Sequence, residues 1–365
     1  MKQILIYFII VLFVSGCSTV TEPIDENLSS LSENRSVIRP ADNPQRLSEN
    51  VFENRPVTRK VILAMHPPQS HSKGLIPPPV KIVKKCADYE SAVKQAVPAH
   101  DLEALAQLLP TLNNLPDCPL SYLDAVKRSM AQIAAAKADE LVQSGQLAPA
   151  ETWLKRAPTM VWGTQAVYGD IAARRQQWQL AAQFYNQALD LIADPQATPQ
   201  EPPQTVIKKI YHLASETQIL AGNLAAIVSP SGKASGIMRD NVRGVTFEKR
   251  PLPVQFNYGK TTLGETGQNS VQRLATYLKQ QNVASLTLIG HTDSKGSHVA
   301  NDRISKQRAE VVKTYLQTAG VPSQIIAIGK GKREPLQLAN RLLYTPTEID
   351  ALNRRVEFIL GTVTN

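Results

Sequence analysis

The chain has 365 residues, 42% hydrophobic and 19% charged, which is enough for two folded domains of ordinary size plus linkers. Its net charge of +9 suits an anionic partner, but the basic residues are dispersed and aromatics make up only 5%, so base-stacking platforms and nucleic acid are excluded. Solubility and attraction to an anionic envelope polymer remain.

At the start, Lys2 supplies a positive charge, residues 4–14 form an apolar run too short to span a bilayer, and Val14-Ser15-Gly16-Cys17 closes it. Residues 1–16 resemble a lipoprotein signal peptide with its lipobox. That resemblance implies that Ser15 and Gly16 fit a peptidase pocket and that the Cys17 thiol becomes a diacylglyceryl thioether. Ser18 stands where inner-membrane retention typically has Asp, so the resemblance implies lipid anchoring in the outer membrane, facing the periplasm. Acyl chains such as palmitate would hold firmly, each buried methylene contributing about 0.8 kcal/mol. The other reading is a short membrane anchor ending in an incidental Cys.

Residues 17–80 are rich in Ser, Pro, Asn and charge, and read as a disordered tether. A coil of about 60 residues has a root-mean-square span near 45 Å. Two similar phrases recur within it, ENRSVIRP (33–40) and ENRPVTRK (53–60), and PPP (77–79) closes it. Alternatively these basic repeats bind a partner and order on doing so.

From residue 86 to 227 the apolar period becomes helical. Cys86 and Cys118 flank a candidate helical hairpin at 87–112, and in an oxidising compartment a disulfide between them would contribute roughly 3 kcal/mol. Two buried thiols are the alternative. Ala138, Gly145, Leu147, Ala150, Leu154 and Ala157 then recur as Gly169, Gln176, Trp178, Ala181, Tyr185 and Ala188, an offset of 31 residues. Small residues let paired helices approach and large ones fill the space between them. The pattern resembles tetratricopeptide-like hairpins, although their usual period is about 34 residues and Gln176 replaces the turn glycine. Pro195 ends the second hairpin, and a last helix spans 203–221. Such stacks present a groove to a protein partner or serve as capped spacers. Trp153, Trp162 and Trp178 are assigned to the core rather than to an interface. The glycine- and serine-rich stretch 228–250 reads as an interdomain linker.

The final region, 251–362, alternates strands and helices: strand 254–257, helix 265–280, strand 285–290, helix 299–319, strand 324–329, a short helix 346–351 and strand 354–360. That order predicts a sheet covered by helices on one face. The expected fold class is α+β: an all-α helical-repeat region followed by an α/β sandwich.

Within this region stand GHTDSKG (290–296), Asn301, ISKQRA (304–309), IGKGKREP (328–335) and NRRVEF (353–358). Together they resemble the OmpA-like domain, the peptidoglycan-binding module of outer-membrane lipoproteins and flagellar stator proteins, over residues 253–360. The resemblance implies peptidoglycan as partner. The free end of meso-diaminopimelate carries an ammonium and a carboxylate on one carbon, and matching it needs an anion and a planar cation. Asp293 would take the ammonium. Arg308 would hold the carboxylate through two parallel donors, which Lys cannot reproduce. Thr292 and Asn301 belong to the same loop surface, and backbone amides at the start of the following helix would add donors. Arg354 borders the ligand by resemblance, while alternation sends Arg355 to solvent or to a helix-borne carboxylate. Gly259 stands where the family usually has Asp or Asn. Taken singly, Asp293 could cap its loop and Arg308 could be a solvated charge.

His291, beside Asp293, has no second ligand at metal spacing and reads as a polar wall residue; His298 is expected to be exposed. No HExxH, GxSxG, P-loop or Cys–His signature occurs, so no enzyme activity, cofactor or metal is expected. Two functions remain. One is an outer-membrane lipoprotein that binds the wall non-covalently. The other is a scaffold or assembly component of an envelope or secretion complex, its repeats holding a protein partner. A stator subunit would need an ion-carrying acid in its membrane helix, and residues 4–14 contain none.

Overall fold

The computed structural model describes residues 84–224, 233–254, 256 and 260–361. The signal segment, Cys17, the tether and Gly259 lie outside the described residues.

A 3-10 turn at Cys86–Tyr89 leads into α1 (Glu90–Ala96), followed by α2 (Leu102–Asn113), α3 (Leu120–Gln143), α4 (Leu147–Leu154), α5 (Trp162–Arg174), α6 (Trp178–Ala193) and α7 (Gln204–Ala221). Cys86 is joined by a disulfide to Cys118, just before α3, with the two Cα atoms 5.1 Å apart. The same turn is held by the Asp117 carboxylate, which accepts from the Cys86 amide at 3.0 Å.

The turns after α3 and α5 share one hydrogen-bond pattern. After α3, Gly145 N donates to Val142 O at 3.0 Å and Gln146 N to Leu141 O at 2.8 Å. After α5, Gln176 N donates to Ala173 O and Gln177 N to Ala172 O, both at 2.9 Å. Gly145 turns at φ +80° and Gln176 at φ +57°, so Gln176 adopts the left-handed backbone that its glycine counterpart reaches without a Cβ penalty. Packing differs in a compensated way. Ala138 shares an apolar cluster with Leu154, whereas Gly169 receives Tyr185, and a Cβ at Gly169 would lie 2.6 Å from the Tyr185 ring. The bulkier ring takes the space of the missing methyl. The three tryptophans are half-buried rather than fully inside: Trp153 carries the Arg156 guanidinium 4.8 Å above its ring, and Trp178 meets Tyr344 at 5.6 Å between centroids.

Residues 233–250, expected to be a linker, are instead folded onto α6 and α7. The Asp190 carboxylate accepts from Ser235 Oγ, Gly236 N and Arg239 Nε, and Asn186 accepts from Ile237 N at 2.9 Å. A small hairpin follows, β1 (Asn241–Val242) and β2 (Val245–Thr246), after which Phe247 stacks on Tyr211 of α7 at 3.6 Å. The glycine-rich composition concealed Ile237, Met238, Val242, Val245 and Phe247, all buried. Enough apolar surface is present to outweigh the entropy of ordering the segment.

The last region contains β3 (Arg250–Leu252), α8 (Glu265–Gln280), β4 (Ser285–Gly290), α9 (His298–Thr318), β5 (Gln324–Gly329), α10 (Pro346–Asn353) and β6 (Val356–Gly361). The sheet runs β3-β6-β4-β5, with β4 and β5 parallel and the other pairs antiparallel. The strand that pairs with β6 is Arg250–Leu252, whose residues align with Phe358, Glu357 and Val356, and the strand expected at 254–257 falls partly outside the described residues. Leu274, Leu278, Leu288, Val312, Leu316 and Phe358 fill the core between the sheet and α8 and α9. The other face is covered only in part: Ile289, His291, Arg355 and Glu357, which point there by strand alternation, are buried, whereas Ile326 on the edge strand is exposed. Among the elements around this region, α7 packs against both β3 and α10. Ile219 of α7 joins Tyr344 and Leu352 in a common apolar cluster. No helix among the described residues is long and apolar enough to cross a membrane.

Candidate functional site

Two glycines bring α9 down onto the strand ends. Gly290 closes β4 and pairs in register with Gly329 of β5. A Cβ on Gly290 would run into the backbone oxygen of Ser305, and one on Gly329 would lie 2.6 Å from Lys306 N. Ser305, fully buried, receives the Gly331 amide at 2.9 Å and donates to Asp302 O at 3.0 Å. One turn later on α9, Arg308 enters the space beneath the loop 291–297.

That loop is clasped from several sides. Asn301 Nδ2 donates to Lys295 O at 2.8 Å, and Lys332 Nζ reaches Gly296 O at 2.8 Å and Ser294 O at 3.1 Å. Ser297 caps α9 by accepting from Ala300 N at 3.2 Å, so this first-turn amide serves the fold. Asp293, 3% exposed, accepts from Lys295 N at 3.1 Å, and its Oδ2 lies 3.0 Å from Arg354 Nη1. Arg354 also donates from Nε to Phe256 O at 3.3 Å.

Arg308 is 1% exposed. Its Nη1 donates to His291 O and its Nε to Lys260 O, both at 3.2 Å, while the guanidinium lies 4.9 Å over the Phe256 ring. Burial, with the repulsion of Arg354 added, pulls its pKa down to about 10, so the group stays charged at neutral pH. Asp293, Arg308 and Arg354 thus come together, with Arg354 in contact with the acid and Arg308 behind it. Thr292 and Asn301 are both buried in the loop wall; Asn301 spends its amide on the loop itself, and Thr292 Oγ1 has no hydrogen-bond partner among the described residues.

Arg355 meets neither solvent nor a helix. It is buried and donates from Nε to Glu357 Oε1 at 2.8 Å, two residues along the same strand face, and from Nη2 to Glu334 O at 3.2 Å. His291, with no exposed surface, has Nε2 3.3 Å from Glu357 Oε2, a close contact that falls short of hydrogen-bond alignment. Burial pushes the His291 pKa down. For Glu357 burial opposes ionisation, but His291 and Arg355 outweigh it and pull the carboxyl down to about 2. His298 is exposed. Among the described residues no three His, Cys, Asp or Glu side chains converge as metal ligands.

Sequence reasoning overlooked Lys295, Lys332, Asp350 and Phe256. Asp350 had a usable signal, since it lies four residues before Arg354 at the end of a helix and so shares its face.

The fold is a helix-covered mixed sheet with a nearly buried acid–arginine cluster where the β4 loop meets the start of β6. Residues 255–342 match the OmpA family, so the C-terminal region is an OmpA family domain. The chain is 37% identical over 135 residues to the probable lipoprotein YiaD of Escherichia coli, covering 34% of this chain and 59% of that protein. It is 36% identical over 105 residues to the peptidoglycan-associated lipoprotein of Legionella pneumophila, covering 28% and 57%. Outer membrane porin F of Pseudomonas fluorescens is 35% identical over 108 residues, covering 29% and 31%. The chain therefore spans from 31% to 59% of the length of these curated relatives.

Proposed function

We propose that the OmpA family domain binds peptidoglycan non-covalently by the free zwitterionic end of diaminopimelate, as a binding module and not an enzyme. The reading extends to the whole chain: acylated Cys17 holds the outer membrane from its periplasmic side, residues 17–80 form the tether, and the folded regions reach the wall. The observation that carries it is the Asp293–Arg354 pair, 3.0 Å apart and almost out of solvent, with the Arg308 guanidinium behind it. An incoming ammonium replaces Arg354 on Asp293, and the carboxylate on the same carbon meets guanidinium from Arg354 and Arg308. The ligand thus exchanges one internal ion pair for two external ones, and no buried charge is left unmatched. The Legionella relative, named as peptidoglycan-associated, supports the same reading.

The test is co-sedimentation of the full chain with purified diaminopimelate-type sacculi. Asp293→Ala and Arg308→Ala are expected to reduce retention several-fold or more, since removing one member of a desolvated charge pair costs roughly 2 to 5 kcal/mol. Arg308→Lys, which keeps the charge and loses the planar fork, covers the case in which the alanine variant fails to fold. Unchanged retention in Asp293→Ala and Arg308→Lys refutes the assignment.

A second reading adds a protein partner on the tetratricopeptide-like helices. Cross-linking in cells through residues 86–227 should then yield one dominant partner, and a plain tether should yield none.

A further inference from the structure

Two ion pairs stand side by side between the loop 291–297 and the end of α10, with opposite polarity. On the loop, Asp293 and Lys295 are two residues apart, and the Lys295 amide donates to Asp293 Oδ1 at 3.1 Å. On the helix, Asp350 and Arg354 are four apart, and the Arg354 amide donates to Asp350 O at 3.1 Å. Arg354 Nη1 reaches Asp293 at 3.0 Å, and Lys295 Nζ reaches Asp350 Oδ2 at 2.7 Å. The loop therefore reads minus then plus, and the helix plus then minus. The two rungs differ in solvent access. The inner side chains are 4% and 16% exposed, whereas Lys295 is 59% and Asp350 21% exposed.

This difference separates their roles. The inner rung is shielded, so exchanging it for a ligand zwitterion changes a strong, poorly screened interaction. The outer rung has its lysine in water, where an ion pair adds little and opens readily. A ligand seated with its ammonium on Asp293 and its carboxylate on Arg354 extends toward solvent past the outer rung. There it meets a lysine that already carries a carboxylate at hydrogen-bond distance, supplied by the protein itself. Asp350 occupies the position that a second ligand carboxylate would take.

We propose that Lys295 is a specificity-determining residue that recognises a second carboxylate of the stem peptide, with Asp350 holding its place until the ligand arrives. The inference rests on the peptidoglycan reading above. A stem peptide offers two such carboxylates beyond the zwitterion, that of the γ-linked glutamate and that of the terminal alanine. Their chemistry is the same, and amidating them one at a time separates them.

The experiment is calorimetric titration of the full chain with the tetrapeptide L-Ala-γ-D-Glu-meso-diaminopimelate-D-Ala, alongside the same peptide amidated at the glutamate or at the alanine. One of the two amidations is expected to weaken binding to the wild type roughly two- to fivefold, as for loss of an exposed ion pair. Lys295→Gln removes the difference between acid and amide. Asp350→Asn, which frees Lys295 from its competitor, retains the difference and strengthens binding of the acid form. If the wild type binds all three peptides equally, or if Lys295→Gln keeps the preference, the inference is overturned while the peptidoglycan reading stands. If no peptide binds the wild type, the peptidoglycan reading itself fails, and this inference with it.

Discussion

Glu216 of α7 is wholly buried, and its carboxylate accepts hydrogen bonds from Ala339 N and Tyr344 Oη, each at 2.7 Å. It ties the helical region to the segment before α10. Burial raises its pKa from 4.5 to about 7, against the lowering influence of both donors. The sign follows from comparing folded and unfolded chains. Below 4.5 both hold the proton and Glu216 carries no penalty; between 4.5 and 7 only the folded chain holds it, so stability falls as pH rises; above 7 both are ionised and the penalty is complete. The whole step amounts to about 3 kcal/mol. Glu216→Gln cannot titrate, and its amide also cannot accept from both donors through separate oxygens, so the variant loses about 1 to 2 kcal/mol at acid pH. The difference between wild type and variant should therefore shrink, and can reverse, on going from pH 4.5 to 8. Urea unfolding followed by tryptophan emission measures it, since Trp178 lies 5.6 Å from Tyr344 and reports on this contact. Parallel stability curves for the two proteins across that range would show that Glu216 does not titrate inside the fold.

Two other substitutions test packing and cross-linking. Gly169→Ala places a methyl 2.6 Å from Tyr185, whose ring is fully buried and whose hydroxyl donates to Asp170 at 2.5 Å. Overpacking of about 1 to 3 kcal/mol should exceed the roughly 1 kcal/mol gained in helix propensity, lowering the melting temperature, and Gly169→Ala combined with Tyr185→Leu should recover part of the loss. A stabilised single variant would show that the close approach is not maintained. The Cys86–Cys118 bond closes a separation of 32 residues, so Cys86→Ser/Cys118→Ser is expected to lose about 3 to 4 kcal/mol from the helical region. A melting curve unaffected by both the double variant and a thiol reductant would contradict this.

The helices of residues 86–227 and most of the last region were legible because each depends on local periodicity. The 31-residue offset survives the change from Gly145 to Gln176, since the backbone bonds of the turn are unchanged and only a left-handed φ must be tolerated. The strand at Ser285–Gly290 and the helix at Glu265–Gln280 follow directly from apolar spacing. Residues 233–250 were misread because composition was weighed above pattern. Glycine and serine suggested freedom, but Asp190 supplies acceptors for that segment from a distant helix, and no local signal reveals a partner 45 residues away. The same limit hid the packing on α7 of the segment just before β3, where Tyr211 meets Phe247 and Lys249 O.

For the site, motif reasoning assembled the right neighbourhood but could not rank its charges by depth. Asp293 and Arg308 looked equivalent as two loop-facing charges. The helix that carries Arg308 is drawn onto the strand ends by Gly290 and Gly329, and that approach sinks the guanidinium until carbonyl oxygens of His291 and Lys260 accept from its Nη1 and Nε. Arg354, at the end of α10, stays nearer the surface and reaches the acid instead. A buried arginine held by carbonyls keeps its charge close to the site whether or not a ligand is present, while one paired with a carboxylate can exchange partners. On the peptidoglycan reading proposed above, Arg308 is the fixed cation of the site and Arg354 the group that would move when an ammonium arrives.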